Sequence, residues 1–447
     1  MKKTVLRFVS TFIMISICLV LTGCQAIDSV MQAAEYFLAG VSLESLEVAE
    51  NTEETNDGKE AENADGNTTW ATSEKAMPDT EQDIPGTSEE HKKAVPDIPG
   101  FTDELAGHYA YDSLTETEQI WYRDMVDTLG RMLEKQELSA GGLEAGLDES
   151  DIDKIFQCVL NDHPEYFYVE GYTYTKYSRQ DQLVKLEFTG TYSMTRDEAI
   201  KRSLEIKAAA GEMINGISQD ADEYEKVKYI YEILIRNTEY DLTAPDNQNI
   251  YSVFVNQASV CQGYAKAAQY LLNHLGIEST IVMGIVNNGE GHAWNLVKVD
   301  GGYYYMDATW GDASYQLEDV AEAEMAGYLP EINYDYLCVT TAQITQTHQV
   351  GSIVPMPQCT SLEANYYVRE GLYFNNFDLE HLRQVFTDAA GQNKTDITLK
   401  CADAAVYTQM SKSLIEDQKI FDYLAAPEGT IAYAQNEKQL SLTFWMP

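Results

Sequence analysis

The sequence predicts an α+β fold in which a helix that begins at a cysteine packs on an antiparallel sheet. After Cys261, apolar residues recur at helical spacing until a glycine that suits a helix C-terminus. Residues 279–286 are rich in β-branched side chains, and residues 292–299 alternate between apolar and polar. Asp300-Gly301 is a hairpin-turn signal, which predicts a return strand over residues 303–309. Smaller α/β modules are predicted on each side of this core.

Three polar side chains in these elements indicate acyl-transfer chemistry. Cys261 falls at or near the first turn of its helix, where unpaired N–H groups and the helix dipole favour an anion and therefore a thiolate. His292 begins one strand of the hairpin and Asp307 lies near the end of the other, so we expect a contact between them. A nucleophile, a base and a residue that orients the base are the set that covalent acyl transfer uses.

The stretches VCQGYA, GHAWN and YMDATW resemble, in order and spacing, the three motifs of the transglutaminase-like (papain-like thiol) superfamily. The resemblance spans about residues 222–350 and implies a papain-like transglutaminase core. It also implies that Cys261 is the nucleophile, His292 the general base and Asp307 the orienting acid. The superfamily includes transglutaminases, peptidases and deglycosylating amidases, so the resemblance does not choose the reaction.

Four further residues are candidates for substrate contacts. Trp294 and Trp310 are expected in the core or in a cleft wall, and Gln262 is either a polar residue of the first helical turn or a substrate contact. The Cys261 backbone N–H is the expected first donor to an oxyanion, and Gln257 is the candidate second donor.

No metal or cofactor is expected, because the sequence has no calcium-ligand run of the D-x-[DN]-x-[DN]-G kind and no close CxxC pair. His163 and His348 are expected to be structural or surface residues. The cysteines other than Cys261 and those of the N-terminal 24 residues are Cys158, Cys338, Cys359 and Cys401, and their pairing stays open.

Residues 1–24 are predicted to be a lipoprotein signal peptide. A basic start precedes an apolar run over residues 8–21 that is short for a membrane span. Leu21-Thr22-Gly23-Cys24 resembles a bacterial lipobox, which implies cleavage before Cys24 and lipid attachment to its sulfur. A plain secretory signal or an uncleaved anchor is the alternative. The protein is therefore expected on the extracytoplasmic face of the cell membrane.

Four segments follow the signal. Residues 25–100 are acidic and rich in Ser, Thr, Asn, Gly and Pro, which predicts a disordered tether. Residues 101–216 are predicted to form an N-terminal α/β domain, residues 217–350 the catalytic domain, and residues 351–447 a C-terminal α/β accessory domain.

The formal net charge of -42 argues against nucleic acid as a partner. A peptide or protein of the cell envelope is the expected substrate. We therefore predict a lipid-anchored cysteine acyl-transfer enzyme. Because water is the more abundant acceptor, a hydrolase of the peptidase or amidase type is favoured over a protein cross-linking transglutaminase. A non-catalytic cell-surface binding protein is a further alternative.

Overall fold

The computed structural model describes residues 4–9, 71–76, 108–179, 182–287, 289–312, 330–424 and 430–446. For the first two segments it describes backbone pairing alone: β1 (Thr4–Val9) and β2 (Ala71–Ala76). Among the described residues, no helix combines the length and the apolar character that a membrane crossing requires. Cys24 and nearly all of the apolar run over residues 8–21 lie outside the described residues.

The N-terminal module combines helices with a four-stranded sheet that includes β2. Its other strands are β3 (Gln136–Glu137), β4 (Val169–Arg179) and β5 (Gln182–Tyr192), and its helices are α1 (Tyr109–Ser113), α2 (Glu118–Gly130), α3 (Ala140–Glu144), α4 (Ile152–Asp162) and α5 (Arg196–Ile214). The order of the sheet is β2-β4-β5-β3. Helices α2 and α4 share a buried cluster with the sheet, in which Trp121, Phe156 and Phe188 are the largest fully buried side chains.

Residues 71–76 depart from the disordered tether predicted for residues 25–100. They form β2, which pairs in parallel with β4 from Ala71↔Thr173 to Ala76↔Ser178. This pairing covers a sheet edge whose main-chain groups would otherwise lack partners. Main-chain pairing needs no apolar side chains, so composition does not reveal it.

Strand β1 falls within the predicted signal peptide. It pairs in parallel with the strand over Thr430–Asn436 near the C-terminus. This pairing involves residues that signal cleavage would remove, so the signal peptide stays a prediction. The other predicted segment boundaries stay predictions as well.

The central domain has the predicted helix on an antiparallel sheet. Its helices are α6 (Glu223–Asn237), α7 (Cys261–His274), α8 (Ala308–Gly311) and α9 (Thr341–Ile344), and its strands are β6 (Glu239–Tyr240), β7 (Ala258–Ser259), β8 (Ser279–Val286), β9 (Gly291–Val299), β10 (Gly302–Met306) and β11 (His348–Val350). The main sheet has the order β10-β9-β8-β11, and each neighbouring pair is antiparallel. The α+β prediction is confirmed.

Helix α7 is held against this sheet by apolar packing and one polar contact. Tyr264 and Leu271 share a buried cluster with Val297 of β9. The Asn295 side-chain amide, also on β9, donates to the Ala265 carbonyl oxygen at 2.9 Å. The start of α7 is therefore fixed relative to β9.

The return strand is shorter than predicted. It ends at Met306 rather than at residue 309, because Asp307 becomes the N-cap of α8. The Asp307 carboxylate accepts hydrogen bonds from the backbone N–H groups of Thr309 and Trp310, which favours a helical turn over continued strand.

The C-terminal module has a five-stranded sheet that includes β1. Its other elements are α10 (Tyr366–Arg369), β12 (Tyr373–Phe374), α11 (Leu379–Gly391), β13 (Asp396–Cys401), α12 (Ala404–Ser411), β14 (Thr430–Asn436) and β15 (Ser441–Trp445). The order of the sheet is β1-β14-β15-β13-β12. Buried residues of this module, among them Leu399 and Phe444, belong to the same apolar cluster as α6 and α7.

Buried polar contacts fix both outer modules to the central domain. Asn161 at the end of α4 donates to the Ile281 carbonyl oxygen at 3.1 Å and accepts from the Thr280 hydroxyl at 2.6 Å. Lys400 of β13 forms a buried ion pair with Asp335 at 2.8 Å. Because a buried polar group without its partner is costly, these contacts specify how the modules dock.

Candidate active site

Cys261 is the first residue of α7, and its side chain is half-buried. The turn before it is packed closely. A Cβ atom at Gly263 would lie 1.9 Å from the Ser259 hydroxyl and 2.9 Å from the Asn247 carbonyl oxygen. The Ser259 hydroxyl donates to that same carbonyl oxygen at 2.7 Å. A glycine at position 263 thus lets the loop over residues 247–259 fix the first helical turn and the thiol it carries.

His292 lies near the start of β9 and is buried. It pairs across the sheet with Gly284 of β8. A Cβ atom at Gly284 would lie 2.1 Å from the Gln349 carbonyl oxygen and 2.6 Å from the Trp294 ring, so glycine allows both groups to approach. Strand β11 and Trp294 therefore pack directly beside the histidine.

The three sequence-predicted catalytic residues are in contact. The His292 Nε2 atom lies 2.8 Å from Asp307 Oδ2, and the side chain of Cys261 is hydrogen-bonded to His292. Because Nε2 faces the carboxylate, Nδ1 is the nitrogen left for the thiol. The hydrogen bonds thus run from the thiol through the imidazole to the carboxylate.

Electrostatics favour the charged form of both buried groups. Burial by itself lowers the pKa of His292, but Asp307 and the hydrogen bond with Cys261 outweigh burial and raise that pKa to about 10. Burial by itself raises the pKa of Asp307, but the adjacent His292 and His348 hold it well below its usual range. At neutral pH the pair is an imidazolium and a carboxylate. The imidazolium lies beside the thiol, where a cation stabilises a thiolate.

Asp307 accepts four hydrogen bonds. Its Oδ1 atom accepts from the backbone N–H groups of Thr309 and Trp310 at 2.9 and 3.1 Å. Its Oδ2 atom lies 2.8 Å from His292 Nε2 and 3.0 Å from His348 Nε2. The carboxylate is therefore fixed by donors on both oxygens.

His348 is the residue of this site that sequence reasoning missed. It was expected to be structural or at the surface, and it is buried at the start of β11; its contact with Asp307 was not predicted. A three-residue strand gives no periodic signal, and His348 lies 41 residues from its partner. The other histidine assigned to such a role, His163, is buried and binds Glu165 at 2.7 Å in the N-terminal module.

Aromatic rings enclose the two histidines. Trp294 is buried and stacks on His292 with ring centroids 5.9 Å apart. Trp310 is half-buried and meets His292 edge-on at 6.2 Å and His348 at 4.8 Å. Trp294 is thus a core residue, and Trp310 is a half-buried ring beside both histidines, for which a place in a cleft wall stays a prediction.

The two glutamines are placed differently. Gln262 is half-buried in the first turn of α7, next to Cys261. Gln257 is exposed, has a left-handed backbone with φ of 56°, and lines a cavity of about 430 Å³ together with Thr238 and Asp312. The Asp312 carboxylate accepts a hydrogen bond from the Tyr264 hydroxyl at 2.8 Å.

His292, Asp307 and His348 also present metal-ligand atoms within 4.8 Å of one another. Both Nε2 atoms already face a single carboxylate oxygen at hydrogen-bond distance, and the other nitrogen of His292 serves Cys261. Hydrogen bonds among these side chains and with Cys261 therefore account for the arrangement of the potential ligand atoms. The absence of a metal requirement stays a prediction.

Residues 208–308, which include Cys261, His292 and Asp307, match the family model described as "Transglutaminase-like superfamily". Kyphoscoliosis peptidase of Mus musculus is 24% identical over 131 residues, which are 26% of this chain and 20% of the mouse protein. Its Homo sapiens counterpart is 25% identical over 122 residues, 24% of this chain and 18% of the human protein. The chain spans about a fifth of the length of these relatives. The superfamily predicted from the three motifs is confirmed.

Two solved structures show a low overall similarity to this chain. One, described as "Crystal structure of a TGase", has 13% identity and a TM-score of 0.24, over 41% of this chain and 63% of that chain. The periplasmic domain of TgpA from Pseudomonas aeruginosa has 17% identity and a TM-score of 0.20, over 33% and 60% respectively.

The described cysteines should differ sharply in reactivity. Cys158, Cys338, Cys359 and Cys401 are free and buried, and burial raises the pKa of Cys158 and Cys401 to about 12 and that of Cys359 to about 11. We expect iodoacetamide near neutral pH to modify Cys261 at least about tenfold faster than these four, because the thiolate is the reactive form. Time-resolved peptide mass mapping measures the rates. Uniform rates in denaturant provide the control, and uniform rates in the folded protein would contradict the assignment of an activated thiol.

Proposed function

We propose that this chain, which contains a transglutaminase-like domain of a thiol-dependent enzyme superfamily, is an exported cysteine hydrolase that cleaves amide bonds in peptides or proteins. The observation that carries the proposal is the buried hydrogen-bond series from Cys261 through His292 to Asp307. A protein that only binds a ligand has no need of an imidazolium aimed at a half-buried thiol. The name of the kyphoscoliosis peptidases supports peptide bonds as the target.

In the first half of the reaction, the Cys261 sulfur attacks the amide carbonyl carbon, and a C–S bond forms. His292 then gives its proton to the amide nitrogen, the C–N bond breaks, and the amine leaves with that proton. The backbone N–H of Cys261, in the first turn of α7, is the proposed donor to the oxyanion. Asp307 stays ionised throughout and keeps the imidazole oriented.

In the second half, His292 takes a proton from water as the water oxygen attacks the thioester carbonyl. The C–S bond breaks, the acid product leaves, and the thiolate–imidazolium pair returns. A primary amine in place of water would give a new amide and thus a cross-link. Because water is the more abundant acceptor, we propose water as the main acceptor.

The region bordered by Gln257, Asp312 and Trp310 is the proposed substrate cleft. The cavity of about 430 Å³ beside Gln257 and Asp312 provides room for part of a peptide. Asp312 accepts a hydrogen bond from the hydroxyl of Tyr264, a residue of α7 that lies three positions after Cys261. The proposed role of Gln257 is substrate contact rather than chemistry.

We also propose that Cys24 carries a lipid that holds the enzyme at the extracytoplasmic face of the cell membrane. The lipobox-like sequence and the basic, apolar leader before it support this proposal. Cys24→Ser should move the protein out of the membrane fraction or leave an uncleaved precursor. Unchanged fractionation together with an unchanged intact mass would refute the anchor.

Hydrolysis and amine transfer are distinguished by their products. The protein is incubated with a peptide substrate pool and a labelled primary amine, and the products are read by mass. We expect hydrolysis products to exceed amine adducts. Cys261→Ala should abolish both, while Cys359→Ala, which removes a buried thiol outside the site, should leave turnover within about twofold.

The companion variant is Asp307→Asn. Because it leaves His292 with a partner of the wrong hydrogen-bonding type, turnover should fall by about 10⁴-fold, the loss known for a serine protease triad. Amine adducts that outrun hydrolysis and vanish in Cys261→Ala would make the protein a cross-linking enzyme. Turnover that survives Cys261→Ala would overturn the proposal, and wild-type protein that binds peptides without turnover would favour a binding protein.

A further inference from the structure

One oxygen of the buried carboxylate is shared by two histidines. His292 Nε2 and His348 Nε2 lie 2.8 and 3.0 Å from Asp307 Oδ2. Proposed catalysis uses only His292, which contacts the thiol. The second histidine is thus placed on the orienting acid without touching Cys261 in any described contact.

Several elements hold His348 in this place. Its strand, β11, pairs with β8, and His348 pairs with Val286. The Thr347 hydroxyl lies 2.8 Å from His348 Nδ1. The rings of Trp294, Trp310 and Tyr336 surround it at centroid distances of 4.9, 4.8 and 5.7 Å. A buried imidazole with both nitrogens bonded and three aromatic neighbours has one accessible orientation.

That orientation makes His348 a donor to Asp307. An ionised carboxylate only accepts hydrogen bonds, so His348 Nε2 must carry the proton that faces Oδ2. Asp307 Oδ1 is already fixed by two backbone N–H groups. Without His348, Oδ2 would be held by His292 alone, and the carboxylate could rotate away from the line that joins it to the imidazole.

We propose that His348 is a positioning residue of the active site, acting on His292 through Asp307. This inference rests on the proposed function only where peptide turnover is measured. It concerns a residue outside the three matched motifs and predicts that the working unit has four side chains. His348 neither contacts substrate nor transfers a proton in the reaction.

Two substitutions separate the hydrogen bond from packing. His348→Leu fills similar volume without a donor, and His348→Gln can place an amide N–H near the position of Nε2. We expect kcat to fall roughly 10- to 100-fold in His348→Leu, with KM within about twofold, because one charge-assisted hydrogen bond to the orienting carboxylate of Asp307 is lost. His348→Gln should recover most of the loss.

A second readout needs no substrate. The rate of Cys261 alkylation near neutral pH should fall in His348→Leu and recover in His348→Gln. His163→Gln is the matched control, since His163 is also buried and pairs with a carboxylate, Glu165, outside the site. It should lower thermal stability and leave the alkylation rate unchanged. Rapid alkylation without peptide turnover would refute the proposed function while this test still decides the role of His348.

Coupling to Asp307 is tested by a double-mutant cycle. His348→Leu should cost little in the Asp307→Asn background, because its effect passes through the carboxylate. The inference is overturned if the two substitutions reduce turnover by factors that simply multiply in the double variant. It is also overturned if His348→Gln folds normally but does not recover activity. If His348→Leu does not fold, Thr347→Val replaces it, with a several-fold loss of alkylation rate expected from the missing contact to Nδ1. An unchanged rate in Thr347→Val would then count against the inference.

Discussion

The structure around the candidate site depends on one buried carboxylate. Removing a charge from water costs several kcal/mol unless partners replace its hydration, so the chain must bring donors to Asp307 or keep it neutral. It brings four, from β9, α8 and β11. The Asp307 backbone N–H in turn donates to the Tyr336 carbonyl oxygen at 3.0 Å. The α8 turn, strands β9 and β11 on either side of β8, and the segment that contains Tyr336 thus converge on a single residue.

The same carboxylate sets the pH range over which the pair stabilises the fold. The pKa of His292 is raised, so its contribution is complete below about 6.5 and is lost as pH rises through about 10. The pKa of Asp307 is depressed, so its contribution is present above about 3.8 and is lost as pH falls through the depressed value. The ion pair therefore persists throughout the neutral range, in which the proposed chemistry needs a proton on His292.

The outer modules contribute to the geometry of the site as well as to the size of the protein. Lys400 pairs with Asp335, and Asp335 precedes Tyr336, whose carbonyl oxygen receives the Asp307 N–H. On the other side, Asn161 bonds to the β8 residues Thr280 and Ile281. Substitutions far from the thiol should therefore act on the site, at Lys400 through the segment that holds the Asp307 backbone and at Asn161 through the sheet that carries His292.

The sequence predicted the parts of this arrangement that local patterns encode. Helical spacing after Cys261 and the Asp300-Gly301 turn gave the helix and the hairpin, and the observed register pairs Gly302 with Val299. The predicted strand over residues 303–309 was too long because a side chain cap, which periodicity does not report, ends it at Met306. His348 was missed for a related reason: its place depends on long-range pairing of a three-residue strand. Likewise, β2 depends on main-chain pairing that composition does not encode.

The chemistry proposed for this site requires that Asp307 hold His292 as an imidazolium beside Cys261. A ¹⁵N NMR titration of the His292 ring in the wild-type protein and in Asp307→Asn measures this directly. We expect a wild-type midpoint near 10, and a clearly lower midpoint in the variant because burial then acts on the imidazole without the carboxylate to oppose it. A wild-type midpoint at or below the ordinary histidine value of about 6.5, or a midpoint that does not change when Asp307 is replaced, would contradict it.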